Sequence, residues 1–187
     1  SFNSLGSLHV SLSKYDEALD YFLKSLAIRK ELGDEDILSQ TYGNLAVVYM
    51  KKKDYTTSLD YYQKALNIVE KSTNQYRKVV NYTNLSEVYI RLGKYNEAER
   101  YLTKSADLAK AMHHKEVLAE IYDKFTLLET TRARYKQAFT YLELKHKYED
   151  SIYTEKQAKQ IAEAEARYET GKKDQTIHAL EPQQEFH

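Results

Sequence analysis

Residues 42–62 read YGNLAVVYMKKKDYTTSLDYY. Large apolar side chains stand at Tyr42, Leu45 and Tyr49, and a second set stands at Leu59, Tyr62, Leu66 and Val69. Intervals of three and four align each set along one face of an α-helix. Between the stripes, Lys51, Lys52, Lys53 and Asp54 are polar, so the chain can turn there. Ala46 and Ser58 are small, which lets two helices approach to roughly 8–10 Å. The stretch reads as helix, short turn, helix.

The pattern extends in both directions at steps of 40 residues. Lys14-Tyr15, Asp54-Tyr55, Lys94-Tyr95 and Arg134-Tyr135 keep that spacing without drift. Small residues follow at Ala18, Ser58, Ala98 and Ala138, then large ones at Phe22, Tyr62, Leu102 and Leu142. Upstream stand aromatics at Phe2, Tyr42, Tyr82 and Tyr122, followed by Leu5, Leu45, Leu85 and Phe125. Chance does not hold this many positions in step over four cycles. Gly93 sits in the third turn, where a left-handed backbone suits glycine. One hairpin cannot bury its apolar face alone, so neighbouring units must stack.

Composition agrees with a helical chain. Of 187 residues, 42% are hydrophobic, five are glycine and one is proline, which leaves long runs free of helix breakers. Lys plus Arg equals Asp plus Glu at 28 each, so there is no general pull toward nucleic acid or acidic membranes. Without cysteine there is no disulfide framework and no thiolate chemistry, a state compatible with cytoplasm or periplasm. No run approaches the roughly 18 apolar residues of a membrane span. The chain opens on Ser1 inside the first unit's pattern with no signal peptide, so a piece of a longer protein is expected.

These residues resemble the tetratricopeptide repeat, whose aromatic-x2-Leu-Gly-x2-Tyr and Ala-x3-Phe pattern is met by Tyr42, Leu45, Ala46, Tyr49, Ser58 and Tyr62. Tyr82, Leu85, Ser86, Tyr89, Ala98 and Leu102 meet it in the third unit, and Phe2, Leu5, Gly6, Ala18 and Phe22 in the first. The period is longer than the commoner 34 residues, and the proline that usually closes a unit is missing. His9 and Glu129 stand where tyrosine is expected, and Lys145 stands where Ser25, Ala65 and Ser105 are small. The resemblance implies an all-α, right-handed superhelical solenoid of about four hairpins over 1–147. The units are expected at about 1–38, 39–78, 79–118 and 119–147. A C-terminal extended or capping helix over 148–181 and a tail over 182–187 are expected to follow.

Thr154 to Lys173 is rich in Ala, Glu, Lys and Gln, with a weak stripe of Ile161, Ala164 and Tyr168. A solvated capping helix and a self-associating helix both fit, the latter allowing a homodimer. Lys159 to Glu163, Ala166 to Thr170 and Lys172-Lys173 also resemble the segment after the repeats in bacterial signalling proteins. In that family the repeats form an extracytoplasmic input region joined to a histidine kinase or a helix-turn-helix output. This likeness covers about 20 residues.

The repeat family carries ligands on the concave surface formed by the first helix of each hairpin. By register this implies a partner-binding groove of Gln40, Asn44, Val47, Met50, Lys51, Asn84, Glu87 and Arg91. Gly43, Thr83 and Ile90 would share it, with Asn3, Asp123, Lys124 and Leu127 at the ends. Asn44 and Asn84 are equivalent, and a ladder of amides can grip an extended peptide backbone through donor and acceptor together. The same amides can instead pair with neighbouring helices. Lys51 and Arg91 can meet a carboxylate or simply be solvated. Most of the 18 tyrosines occupy packing positions, which leaves little for base stacking, and no nucleic-acid partner is expected.

No glycine-rich phosphate loop, Gly-x-Ser-x-Gly elbow or His-Glu-x-x-His occurs. His113 and His114 are adjacent and diverge on a helix, while His146 and His178 are isolated. No catalytic residue, metal or cofactor is expected. Three functions remain open: an input or adaptor module of a bacterial signalling protein, a cytoplasmic peptide-responsive regulator, and a scaffold self-associating through its last helix.

Overall fold

The computed structural model describes residues 1–180, with side chains through Lys173, so the expected 182–187 tail lies outside the described residues. The described chain is all-α. It runs α1 (Phe2–Ser11), α2 (Tyr15–Leu32), α3 (Glu35–Lys51), α4 (Tyr55–Val69), α5 (Gln75–Arg91), α6 (Tyr95–Ala111), α7 (Lys115–Thr131) and α8 (Tyr135–Leu180). These form four hairpins in which each helix packs on its neighbours in sequence. The helical solenoid with a long last helix is the observed architecture.

The turn inside each hairpin has one repeated geometry. Ser13, Lys53, Gly93 and Ala133 all take positive φ, between 57° and 71°. The next residue's N–H then returns to a carbonyl in the last helical turn, as from Asp54 to Tyr49 at 2.9 Å and from Lys94 to Tyr89 at 2.9 Å. This arrangement satisfies carbonyls that the helix end would leave unpaired. Asp54 then caps α4 by accepting from the Thr57 N–H at 3.1 Å.

Small residues at the crossings are sealed, with Ala18, Ala46, Ser58, Ser86 and Ala98 all fully buried. The Ser58 hydroxyl donates to the Ala46 carbonyl oxygen at 2.8 Å, which satisfies a polar group in the dry centre of the second hairpin. A Cβ on Gly6 would stand 2.5 Å from the Phe22 ring, so only glycine fits that crossing. One core cluster joins α2 to α3 and α4, and a larger one runs from α3 to α7.

The helix bounds do not coincide with the expected unit bounds. α3, α5 and α7 begin at Glu35, Gln75 and Lys115, ahead of the expected unit starts; the apolar pair Ile37 and Leu38 recurs as Val117 and Leu118, but Arg77 and Lys78 interrupt it in the third unit. α8 runs unbroken through residue 148, where the repeat pattern stops. Its first part packs on α7, where Tyr148 stacks on Tyr122 at 5.6 Å, and from Tyr153 onward its described side chains are exposed. Among the described residues no helix is long and apolar enough to cross a membrane.

Candidate functional site

First helices of successive hairpins touch directly, α1 with α3 and α5 with α7, which sets them as the inner row of the solenoid. Between α3 and α5 this row opens into a groove of about 410 Å³. Gln40, Gly43, Asn44 and Val47 form one wall, spaced by three and four residues. Tyr76, Arg77, Val80, Asn81 and Asn84 form the other, and Tyr62 and Val69 lie beneath. Asn44 and Val47 also border a hollow of about 100 Å³ with Ser7, Val10 and Phe22, so the inner surface continues toward α1.

Arg77 spans the two walls. Its guanidinium donates to the Asp36 carboxylate at 2.6 Å, linking the start of α5 to the start of α3. Beyond this pair lies a second hollow of about 300 Å³ that includes Glu35, Lys71 and Ser72. The groove therefore carries a neutralised cation and several amides. The Asn44 and Asn84 carboxamides make no hydrogen bond among the described residues, so the alternative of pairing with neighbouring helices is not what the structure shows. Asn81 is buried, and its Oδ1 has no partner. Such amides can serve the donors and acceptors of a peptide backbone.

Of the residues expected from sequence, Gln40, Asn44, Val47 and Asn84 line the groove. Met50, Lys51, Glu87 and Arg91 are not among its lining residues. Met50 is half-buried against the larger core, and Lys51 is exposed at the end of α3. Glu87 accepts from Lys124 at 2.7 Å and lies 3.7 Å from Arg91, so these charges join α5 to α7. Thr83 and Ile90 are buried and do not face the groove. Thr83 donates to the Val79 carbonyl oxygen at 2.9 Å, and its hydroxyl lies 2.7 Å from that of Ser105. Asn3 donates to Thr41 at 3.1 Å, Asp123 accepts from Lys145 at 2.7 Å, and Leu127 packs on the core.

Tyr76, Arg77, Val80 and Asn81 were not anticipated. Their counterparts 40 residues earlier are Asp36, Ile37, Gln40 and Thr41, so they break the period where other positions keep it. That break was the available signal. Among the described residues no group of three or more His, Cys, Asp or Glu could hold a metal ion.

No curated protein sequence matches this chain significantly. Among solved structures, the chain is similar to BtubC (BKLC) from P. vanneervenii, with a TM-score of 0.74 and 16% identity over 81% of this chain. It spans 63% of the BtubC chain. It is also similar to MamA, with a TM-score of 0.60 and 15% identity over 82% of this chain and 79% of the other. At these identities the likeness is one of fold. The family model described as tetratricopeptide repeat matches residues 1–71 and 37–111, more than half of the sequence. The chain belongs to the tetratricopeptide repeat family, whose repeats generally serve as non-catalytic protein-interaction modules.

Proposed function

We propose that this chain binds an extended peptide, or an extended segment of a partner protein, in the groove between α3 and α5. One observation carries the reading: Asn44 and Asn84, equivalent across the period, line the same groove with their carboxamides unpaired. Unpaired amides on rigid helices are pre-organised to grip a backbone without demanding one side-chain sequence. Val47 and Val80 supply apolar contact between them.

The test uses linear peptides selected from a random display library on the intact chain. Asn44→Ala and Asn84→Ala are each expected to weaken a selected peptide by about tenfold, near 1.4 kcal/mol. Failure to select any peptide, or peptides indifferent to both substitutions, would contradict the groove reading.

The same module suits the input or adaptor region of a bacterial signalling protein. In favour of that context is α8, which packs on α7 at its start and then continues outward as one helix toward Leu180, a shape suited to a connector. The parent gene tests it, because a coding sequence with neither a downstream membrane span nor an output domain would remove the sensor role. A cytoplasmic peptide-responsive regulator would use the same groove. A scaffold joined through the last helix would instead use the exposed Tyr153, Ile161 and Tyr168.

A further inference from the structure

Three junctions along the inner row set the same two repeat positions face to face, and each is filled differently. Between α1 and α3, the Asn3 carboxamide donates to the Thr41 hydroxyl at 3.1 Å and ties the helices together. Forty residues on, the pair becomes Gly43 and Asn81, both of which line the groove. Forty further on it becomes Thr83 and Ile121, both buried where α5 packs on α7. Of the three, the middle junction lacks a side chain from one of its two helices. A Cβ on Gly43 would meet nothing within 4 Å, so the space beside it is open. Glycine weakens a helix interior relative to alanine, and at position 43 it keeps that space clear.

Asn81 faces the consequence. It is 8% exposed, and its Oδ1 has no hydrogen-bond partner among the described residues, whereas Thr41 in the same place is served by Asn3. Leaving a buried acceptor unpaired is costly. The group absent from the middle junction is a carboxamide, the one that Asn3 supplies at the first. A primary amide can donate N–H to Oδ1 and accept from Nδ2 in one planar pair, and it does so for either orientation of the Asn81 amide. A hydroxyl reaches one end of that amide at a time. An ammonium would shed its water beside Arg77, whose charge Asp36 already balances.

We propose that the gap between Gly43 and Asn81 receives an asparagine or glutamine side chain of the bound peptide. This selection rests on the groove reading and adds one side-chain requirement to it. Asn44 and Asn84 hold the backbone, while Gly43 admits the carboxamide and Asn81 pairs with it. The ligand then completes the middle junction as Asn3 completes the first.

The test takes peptides selected from a random display library on the intact chain and titrates them by calorimetry. Each Asn or Gln in a selected peptide is changed singly to Ala and to the isosteric Asp or Glu. One position is expected to lose about tenfold in affinity with either change. Gly43→Asn supplies the carboxamide from the chain itself, in open space that spares the fold. It is expected to bring the parent peptide down to the affinity of its Ala version and to leave the Ala version unchanged. Asn81→Ala is expected to erase the same difference. Selected peptides that depend on Asn44 and Asn84 yet contain no such position overturn the proposal and leave the groove reading standing. A carboxamide preference that survives Gly43→Asn also overturns it, since the side chain then binds elsewhere. Peptides indifferent to Asn44→Ala and Asn84→Ala, or a library that yields none, defeat the groove reading and this selection with it.

Discussion

The Glu129 carboxylate and the Arg132 guanidinium lie 2.9 Å apart, with both side chains nearly sealed from solvent. In the preceding hairpin the same positions hold Tyr89 and Leu92, and Tyr89 stacks on Tyr101 at 5.6 Å. Unit four has replaced an aromatic stack with an ion pair, and its Tyr141 stacks on Phe125 at 4.6 Å instead. Burial pulls the Arg132 pKa down, but hydrogen bonds to Glu99 and Glu129 outweigh it and hold the group charged. Arg132→Ala would leave a buried carboxylate short of its partner, at a cost of about 3–5 kcal/mol. The double substitution Glu129→Tyr, Arg132→Leu recreates the third unit's pair. Urea denaturation is expected to place it nearer the wild type than either single variant. Simple additivity would show that the two positions are not coupled.

The repeated turn makes a second prediction. Positive φ costs a side-chain-bearing residue about 1 kcal/mol, and only one of the four turns inside hairpins uses glycine. Gly93→Ala is expected to lower stability by about 1 kcal/mol, whereas Lys53→Gly and Ala133→Gly raise it by several tenths. Thermal melts of the three variants give the order, and a Gly93→Ala melt equal to wild type would contradict it.

Alkaline pH gives a third. Burial, together with the hydrogen bond that Tyr82 donates to Glu70 at 2.6 Å, pushes the Tyr82 hydroxyl up to about 12. Burial pushes Tyr62 up as well. A raised folded-state pKa favours the neutral phenol, so its contribution is complete below the ordinary tyrosine value near 10. That contribution is lost as pH rises through about 12. Denaturant midpoints are expected to fall between those limits, and Tyr82→Phe should fall less steeply. Equal slopes for the two proteins would exclude Tyr82 as a source.

The hairpins were legible because packing repeats: Leu45, Leu85 and Phe125 are all buried, as their spacing requires. Gly93 marked its turn for the same reason, while Lys53 and Ala133 gave no sign that they adopt the same backbone. The groove was half legible. Asn44 and Asn84 lie on the repeat and were expected to face inward, but Tyr76, Val80 and Asn81 belong to a wall made where the repeat departs from itself. Thr83 and Ile90 were set on the inner face by the register that the resemblance to the repeat family implied. Packing against the adjoining helices buries them, and spacing within one helix carries no record of how deeply a neighbour leans.

The groove reading is tested most directly by site-specific photocrosslinking with a library-selected peptide. The crosslinker is placed at Val80, on the groove wall, or at Gln63, exposed on α4. Capture at position 80, abolished by excess unlabelled peptide and absent at position 63, is the expected result. Capture at 63 with none at 80 would place the partner on the outer surface and contradict the account.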